Sequence, residues 1–221
     1  MTEIKRDLVF KYHDTIKRQE ALFNRDYSDL FKYLKSTSFF DDPASRANHN
    51  NIPGGLAMHT MNFFDCLSRF IEHPPHPTLQ PMLISKDMFD PLLVAIGHDA
   101  NKIGFYKIRS WNRKVDNQWQ ELKSYDYNNA TFALPSNVIS VNRIREVFPA
   151  MSKAEELAIY WAEGFWSIHN DHNLARNYNN AQEYDSRILL THFADMWASR
   201  YMEKTYDEVD VNNAIRSWTF G

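Results

Sequence analysis

Apolar residues recur every three or four positions along much of this 221-residue chain, which is the spacing of one face of an α-helix. The chain contains only six glycines, too few for a turn-rich β-sandwich or barrel, and it has no internal repeat. The pattern therefore predicts an all-α fold. The predicted helices cover residues 4–23, 26–36, 54–72, 86–99, 137–148, 152–165 and 183–203.

Three segments interrupt this periodicity. The proline-rich sequence at 73–77 cannot continue a helix, because proline lacks a backbone N–H. The segment 106–134 alternates apolar and polar residues around Trp111 and Trp119, which predicts a small irregular or hairpin insertion. The segment 166–182 is rich in Asn and His and has no sustained period, so we expect a long loop there, and such loops are often functional.

Composition narrows the class of protein. With 43% hydrophobic and 24% charged residues, the chain can bury one sizeable core, and no stretch is apolar enough to cross a membrane. The N-terminus is charged from its third residue and resembles no secretion signal, so we expect a cytoplasmic location. The net charge of −3 argues against a broad nucleic-acid or membrane footprint but leaves local basic patches open.

The single cysteine excludes an internal disulfide and a cysteine-rich zinc site, so nine histidines and the carboxylates are the available metal ligands. His59 lies on the apolar face of its predicted helix, where a hydrogen-bonded core histidine is the ordinary alternative. Asp99, directly after His98, shares an apolar face, unless it caps the end of the helix. Asp195 also lies within an apolar pattern. Two acids and two imidazoles on core-facing helices suggest a shared metal.

Three motifs in order carry a family resemblance: GGLAMHT at 54–60, LLVAIGHDANKIGFYK at 92–107 and LLTHFADMWASR at 189–200. Together they resemble the HD-domain phosphohydrolase superfamily, particularly its small variants found in phages. The match covers residues 42–202. It implies a helical bundle in one domain over 1–221, with N-terminal helices in 1–41, an HD core in 42–203 and a C-terminal tail in 204–221.

The resemblance also implies the roles of individual residues. One divalent ion is expected, which is Zn, Mn, Co or Fe, with Mg as an alternative. The implied metal ligands are His59, His98, Asp99 and Asp195. The implied catalytic residues are Asp99, Lys102 and His49. The implied substrate-binding residues are Arg46, His49 and Lys102, and Glu163 and His169 are further candidates from their position in the chain only.

Two departures from the family pattern bear on the number of metals. Ser136 and Ala162 stand where two-metal relatives carry histidines, and neither side chain is a good ligand. We therefore expect a one-metal centre. A rearranged second site that uses Glu163, His169 or His172 is the alternative.

The predicted activity is hydrolysis of a small nucleotide, a deoxynucleoside mono- or triphosphate, by a metal-activated water, in the host cytoplasm if the chain is phage-encoded. Aromatic rings could stack on the base, and Tyr106, Trp111, Trp119 and Trp166 lie near the motifs in sequence. We expect no nucleic-acid polymer and no membrane as partner, and a homodimer is left open. The alternatives are a degenerate HD domain that binds a nucleotide or signalling molecule without hydrolysis, a helical interaction protein with vestigial His and Asp residues, and a cyclic or linear dinucleotide phosphodiesterase.

Overall fold

Helices form most of the structure, a computed structural model that describes residues 2–73, 89–115, 117–128, 134–168 and 171–203. The helices of these segments are α1 Glu3–Phe23, α2 Ser28–Ser36, α3 Gly55–Glu72, α4 Pro91–His98, α5 Ser136–Val147, α6 Lys153–Tyr160, α7 His172–Tyr184 and α8 Arg187–Trp197. One antiparallel hairpin joins β1 Tyr106–Val115 to β2 Gln118–Tyr127. Short 3₁₀ segments follow α4 and α6, and a π-helix over Ala198–Met202 extends α8. The mostly helical fold and the hairpin agree with the sequence prediction.

The core is built around α3, which packs against both α4 and α8. Every residue of α3 from Gly55 to Phe64 is buried, and so is every residue of α4 from Leu92 to His98. Among the described helices, none combines the length and the apolarity that a bilayer span requires. The packing of α3, α4 and α8 brings the N-terminal part of α3 beside the C-terminal ends of the other two.

The helix α4 approaches α6 closely at Gly97. A Cβ added to Gly97 would lie 2.3 Å from Cδ1 of Ile159 and 3.3 Å from Cγ1 of Ile144. Only glycine therefore lets α4 pack this closely against the neighbouring helices.

A buried ion pair joins the end of α1 to α6. Arg25 Nη1 donates to Glu155 Oε1 at 2.6 Å, and both side chains are almost fully buried. The same Oε1 atom accepts the backbone N–H of Asp90 at 2.8 Å. Asp90 is the N-cap of α4, and it also accepts the Tyr27 hydroxyl proton. Burial raises the pKa of Asp90 to about 7.

The prediction of a long loop at 166–182 is wrong, because α7 occupies most of that segment. Asp171 caps the helix by accepting the backbone N–H groups of Asn173 and Leu174. Tyr178 and Ala181 are buried on its inner face. This cap and this packing outweigh the low helix propensity of the asparagines.

Three predicted helices also differ at their ends. The helix predicted at 152–165 stops at Tyr160, and Gly164 then adopts a φ of +56° beneath His192, where a Cβ would lie 2.6 Å from the ring. The helix predicted at 183–203 begins at Arg187 and becomes a π-helix after Trp197. The helix predicted at 86–99 is helical from Pro91. Residues 74–88 and 129–133 lie outside the described residues, and so does most of the segment predicted at 73–77.

Candidate metal centre

Four side chains from three helices meet where α3, α4 and α8 converge. His59 comes from the second turn of α3, His98 ends α4, Asp99 follows it and Asp195 lies near the end of α8. The Nε2 atoms of His59 and His98 are 3.0 Å apart. His59 Nε2 lies 3.2 Å from Asp195 Oδ1 and 3.5 Å from Asp99 Oδ2. The structure therefore brings together all four residues that the sequence singled out as ligands.

Hydrogen bonds on the far side of each ring set its tautomer. His98 Nδ1 lies 2.6 Å from the carbonyl oxygen of Ala95, which can only accept, so this nitrogen carries a proton. His59 Nδ1 likewise donates to the Glu203 carboxylate, at 2.9 and 3.1 Å from its two oxygens. In the neutral rings, both Nε2 atoms therefore present lone pairs to each other and to two carboxylates. Lone pairs and negative charges this close together repel one another. The arrangement is stable only with a proton or a cation among them.

The electrostatic field at this point favours positive charge. Burial opposes a charged imidazole at His59, but Glu203, Asp195 and Asp99 outweigh it and raise its pKa to about 10. Burial lowers the pKa of His98. The donor atoms of His59, His98 and Asp195 lie within 4.8 Å of one another. Mixed imidazole and carboxylate donors in a field of this sign fit a divalent transition metal.

Glu203 is the part of the centre that the sequence analysis missed. Its carboxylate is buried, and besides His59 it accepts the Asn62 side-chain N–H at 3.0 Å. It follows the π-helix, so the α-helical period of α8 does not show which way Glu203 points. The sequence carries no signal that would have placed this carboxylate beside His59.

Lys102 lies within the site and is not an ordinary solvated lysine. Its Nζ atom is 2.7 Å from Asp99 Oδ2. Although burial alone would raise the pKa of Asp99, the Lys102 ammonium together with His98 and His59 outweighs it and holds that pKa well below its usual range. Asp99 therefore stays ionised.

A cavity of about 600 Å³ opens beside this cluster. His49 lines it, and its ring centre lies 5.0 Å from that of His59. His49 Nε2 is buried without a hydrogen-bond partner in the described part of the chain, and burial lowers its pKa to about 4, so the ring is neutral at pH 7. The other side chains around the cavity include Lys102, Asp195, Trp166, Arg200 and Glu203. The volume suits a small molecule.

The remaining predicted residues lie in different places. Arg46 lies over the ring of Tyr127, 5.2 Å from its centre, and lines a separate cavity against the hairpin. Glu163 accepts a hydrogen bond from the Ser136 hydroxyl at 3.4 Å. Burial, and after it the negative charge of Asp99, raises the pKa of Glu163. His172 is exposed at the start of α7. His169 lies outside the described residues.

The positions of the missing histidines offer few ligands. The Ala162 side chain is buried, and its carbonyl accepts the Nδ1 proton of His192 at 2.9 Å. Ser136 contributes only its hydroxyl beside Glu163. Beside these two positions, Glu163 offers a carboxylate that could bind a metal.

Comparisons of the chain with protein-family models, with curated proteins and with solved structures gave no match.

Proposed function

We propose that this protein is an HD-type, metal-dependent phosphohydrolase that acts on a small nucleotide. One observation supports this most directly: the Nε2 atoms of His59 and His98 face each other at 3.0 Å, with the carboxylates of Asp99 and Asp195 beside them. Each imidazole is held in position through its other nitrogen, as metal-binding histidines usually are.

The ligands for one divalent ion are His59, His98, Asp99 and Asp195. Their nitrogen and oxygen donors suit Zn, Mn, Co or Fe better than Mg, which prefers oxygen alone. Such an ion, when bound, lowers the pKa of a coordinated water and offsets negative charge on a phosphoryl group.

The chain itself supplies binding and charge. Lys102 and Arg200 line the cavity with positive charge where a substrate phosphate would lie. Neutral His49 can hydrogen-bond to the oxygen that leaves when the P–O bond breaks. Trp166, which is 69% exposed at this cavity, offers a ring face for a base.

The cavity volume favours a small substrate, and we propose a deoxynucleoside mono- or triphosphate. The partner is therefore a small molecule rather than a membrane. The place of action that we propose is the cytoplasm, which is the host cytoplasm if the chain is phage-encoded.

The experiment combines metal analysis with a phosphate-release assay. Protein prepared without chelators is analysed for bound metal and then incubated with Mn, Co, Zn or Mg and a panel of deoxynucleotides. We expect about one ion per chain and release of phosphate or polyphosphate. His98→Ala and Asp195→Ala should lose both, whereas His13→Ala, an exposed histidine on α1, should keep both.

Three results would overturn the proposal. Absence of bound metal after incubation with all four ions would support the vestigial interaction protein. Metal and tight nucleotide binding without phosphate release would identify a binding domain. Cleavage of cyclic or linear dinucleotides alone would replace the proposed substrate class.

A further inference from the structure

The hairpin carries a charged surface that the proposed hydrolase does not use. The two strands pair antiparallel from Tyr106 opposite Tyr127 to Val115 opposite Gln118, so directly opposed residues share a face. We call one of these faces the basic face. It consists of Lys107, Arg109, Trp111 and Arg113 on β1 and Asp126, Ser124, Leu122 and Gln120 opposite them on β2.

Positive charge dominates the basic face. Its three cations accompany one acid, Asp126, whose Oδ2 lies 3.7 Å from Arg109 Nη1. That pair is solvated and weak, since the Arg109 side chain is 68% exposed. Arg113 lies opposite neutral Gln120 and has no ion-pair partner within the described segments. On a chain with net charge −3, this face is a local basic patch.

A cavity of about 420 Å³ lies between the basic face and the loop that carries Arg46. Arg46, Arg109 and Trp111 line it, and so does Asp126. Trp111 is 40% exposed, so its ring is accessible. Two guanidinium groups and an aromatic ring around one cavity are the groups that bind a phosphate and stack on a base.

We propose that the basic face binds single-stranded nucleic acid, which departs from the expectation, drawn from the overall charge, that no nucleic-acid polymer is a partner. Alternate residues of a β-strand are roughly 7 Å apart, so Trp111 stands between two arginines that can each contact a phosphate. A stacking indole requires an unpaired base, because the base faces of a duplex are already stacked. The hairpin turn carries polar Asn117, and Gln118 begins the next strand, instead of the apolar residues that enter a membrane. The proposal does not depend on the metal centre.

The test is fluorescence anisotropy with the full chain and a labelled oligothymidylate of about 16 nucleotides, at several salt concentrations. Trp111→Ala should weaken binding at least about fivefold, whereas Trp119→Ala, on the opposite face, should change it less. The double variant Arg109→Ala with Arg113→Ala removes two phosphate contacts. The plot of log association constant against log salt concentration should become less steep, by about 1.4 in slope.

Two controls separate this surface from general charge and from the metal centre. Arg176→Ala removes an exposed cation on α7 and should leave both affinity and slope unchanged. His98→Ala should abolish phosphate release without changing binding of the oligonucleotide. Because the substituted hairpin residues are exposed, circular dichroism should show each hairpin variant to be folded.

Three outcomes would overturn the proposal. The first is no binding of the oligonucleotide by the wild-type chain at low salt. The second is an equal loss of affinity in Arg176→Ala and in the double arginine variant. The third is binding to phosphatidylserine vesicles without binding to the oligonucleotide, which would assign the face to a membrane surface.

Discussion

Replacing Glu203 with alanine tests whether this buried carboxylate prepares His59 for a metal. Glu203 accepts the His59 Nδ1 proton at 2.9 Å and an Asn62 side-chain proton at 3.0 Å. Its side chain is completely buried, so water does not replace it without rearrangement. In Glu203→Ala, His59 Nδ1 has no acceptor, and the ring is no longer held with Nε2 toward His98, Asp99 and Asp195.

The expected effect on metal binding follows from this geometry. Loss of a partner that orients a metal-binding histidine weakens metal affinity by about 10- to 100-fold, or about 1.4 to 2.8 kcal/mol. The metal-free protein should also lose stability, because two buried donors lose their acceptor at about 1–3 kcal/mol each. Removing one of several neighbouring carboxylates offsets part of that loss.

Calorimetric titration of chelator-stripped protein with Zn or Mn measures the affinity, and urea unfolding in chelator measures the stability separately. Glu203→Gln keeps an acceptor of similar size without the charge, so its affinity should fall between those of the wild type and Glu203→Ala. Asp65→Ala removes a partly exposed α3 carboxylate that pairs with Arg69, and it should leave metal affinity unchanged.

One result would refute this reasoning about Glu203. If Glu203→Ala binds metal as tightly as the wild type while His98→Ala does not bind it, the carboxylate has only a structural role. A drop in stability without a change in affinity would lead to the same conclusion.

Three further predictions concern the fold. Arg25→Ala should destabilise the protein by about 3–5 kcal/mol, because it leaves a buried glutamate unpaired. Arg145→Ala breaks the exposed pair with Glu156 on α6 and should lower the free energy of unfolding in urea by less than about 1 kcal/mol. If Arg25→Ala and Arg145→Ala lowered it equally, the burial of the Arg25 pair would be contradicted. Between about pH 4 and about pH 7, native Asp90 holds a proton that the unfolded chain has lost, so its contribution to stability falls as pH rises. Asp90→Asn keeps the N-cap and should flatten that part of the pH profile; an unchanged slope would show that other groups cause it. Gly97→Ala should destabilise by about 1–3 kcal/mol through overpacking, and combining it with Ile159→Ala should cost less than the sum of the single changes. Additive losses would mean that the added methyl group does not meet Ile159.

Much of the fold was predictable because long helices with one apolar face leave a clear period in the sequence. The mostly helical architecture and the hairpin are confirmed, and α1 and α3 lie within a residue of their predicted bounds. The Asn-rich helix α7 was missed, since its four asparagines hide an apolar face, and the aspartate that caps it was missed with it. Helix ends were the weakest predictions. The conformation of Gly164 and the π-helix after Trp197 depend on tertiary packing, which the local hydrophobic period does not show.

The candidate site was likewise predictable in part. His59, His98, Asp99 and Asp195 stood out because polar groups on apolar helix faces need a partner, and the structure places them together. Their role as metal ligands stays a prediction until metal analysis is done. Arg46, expected at the same site, lies instead against the hairpin, because the loop that carries it packs beside β2.

The sequence by itself determined which faces of the helices are buried and which titratable groups those faces carry, because periodicity is a local property of the chain. Tertiary packing alone decided that α3, α4 and α8 converge, that Glu203 holds His59 Nδ1, and that Arg46 joins Arg109 and Trp111. These contacts join residues far apart in the chain. Their geometry depends on how helices pack at close approaches such as Gly97, which no local pattern specifies.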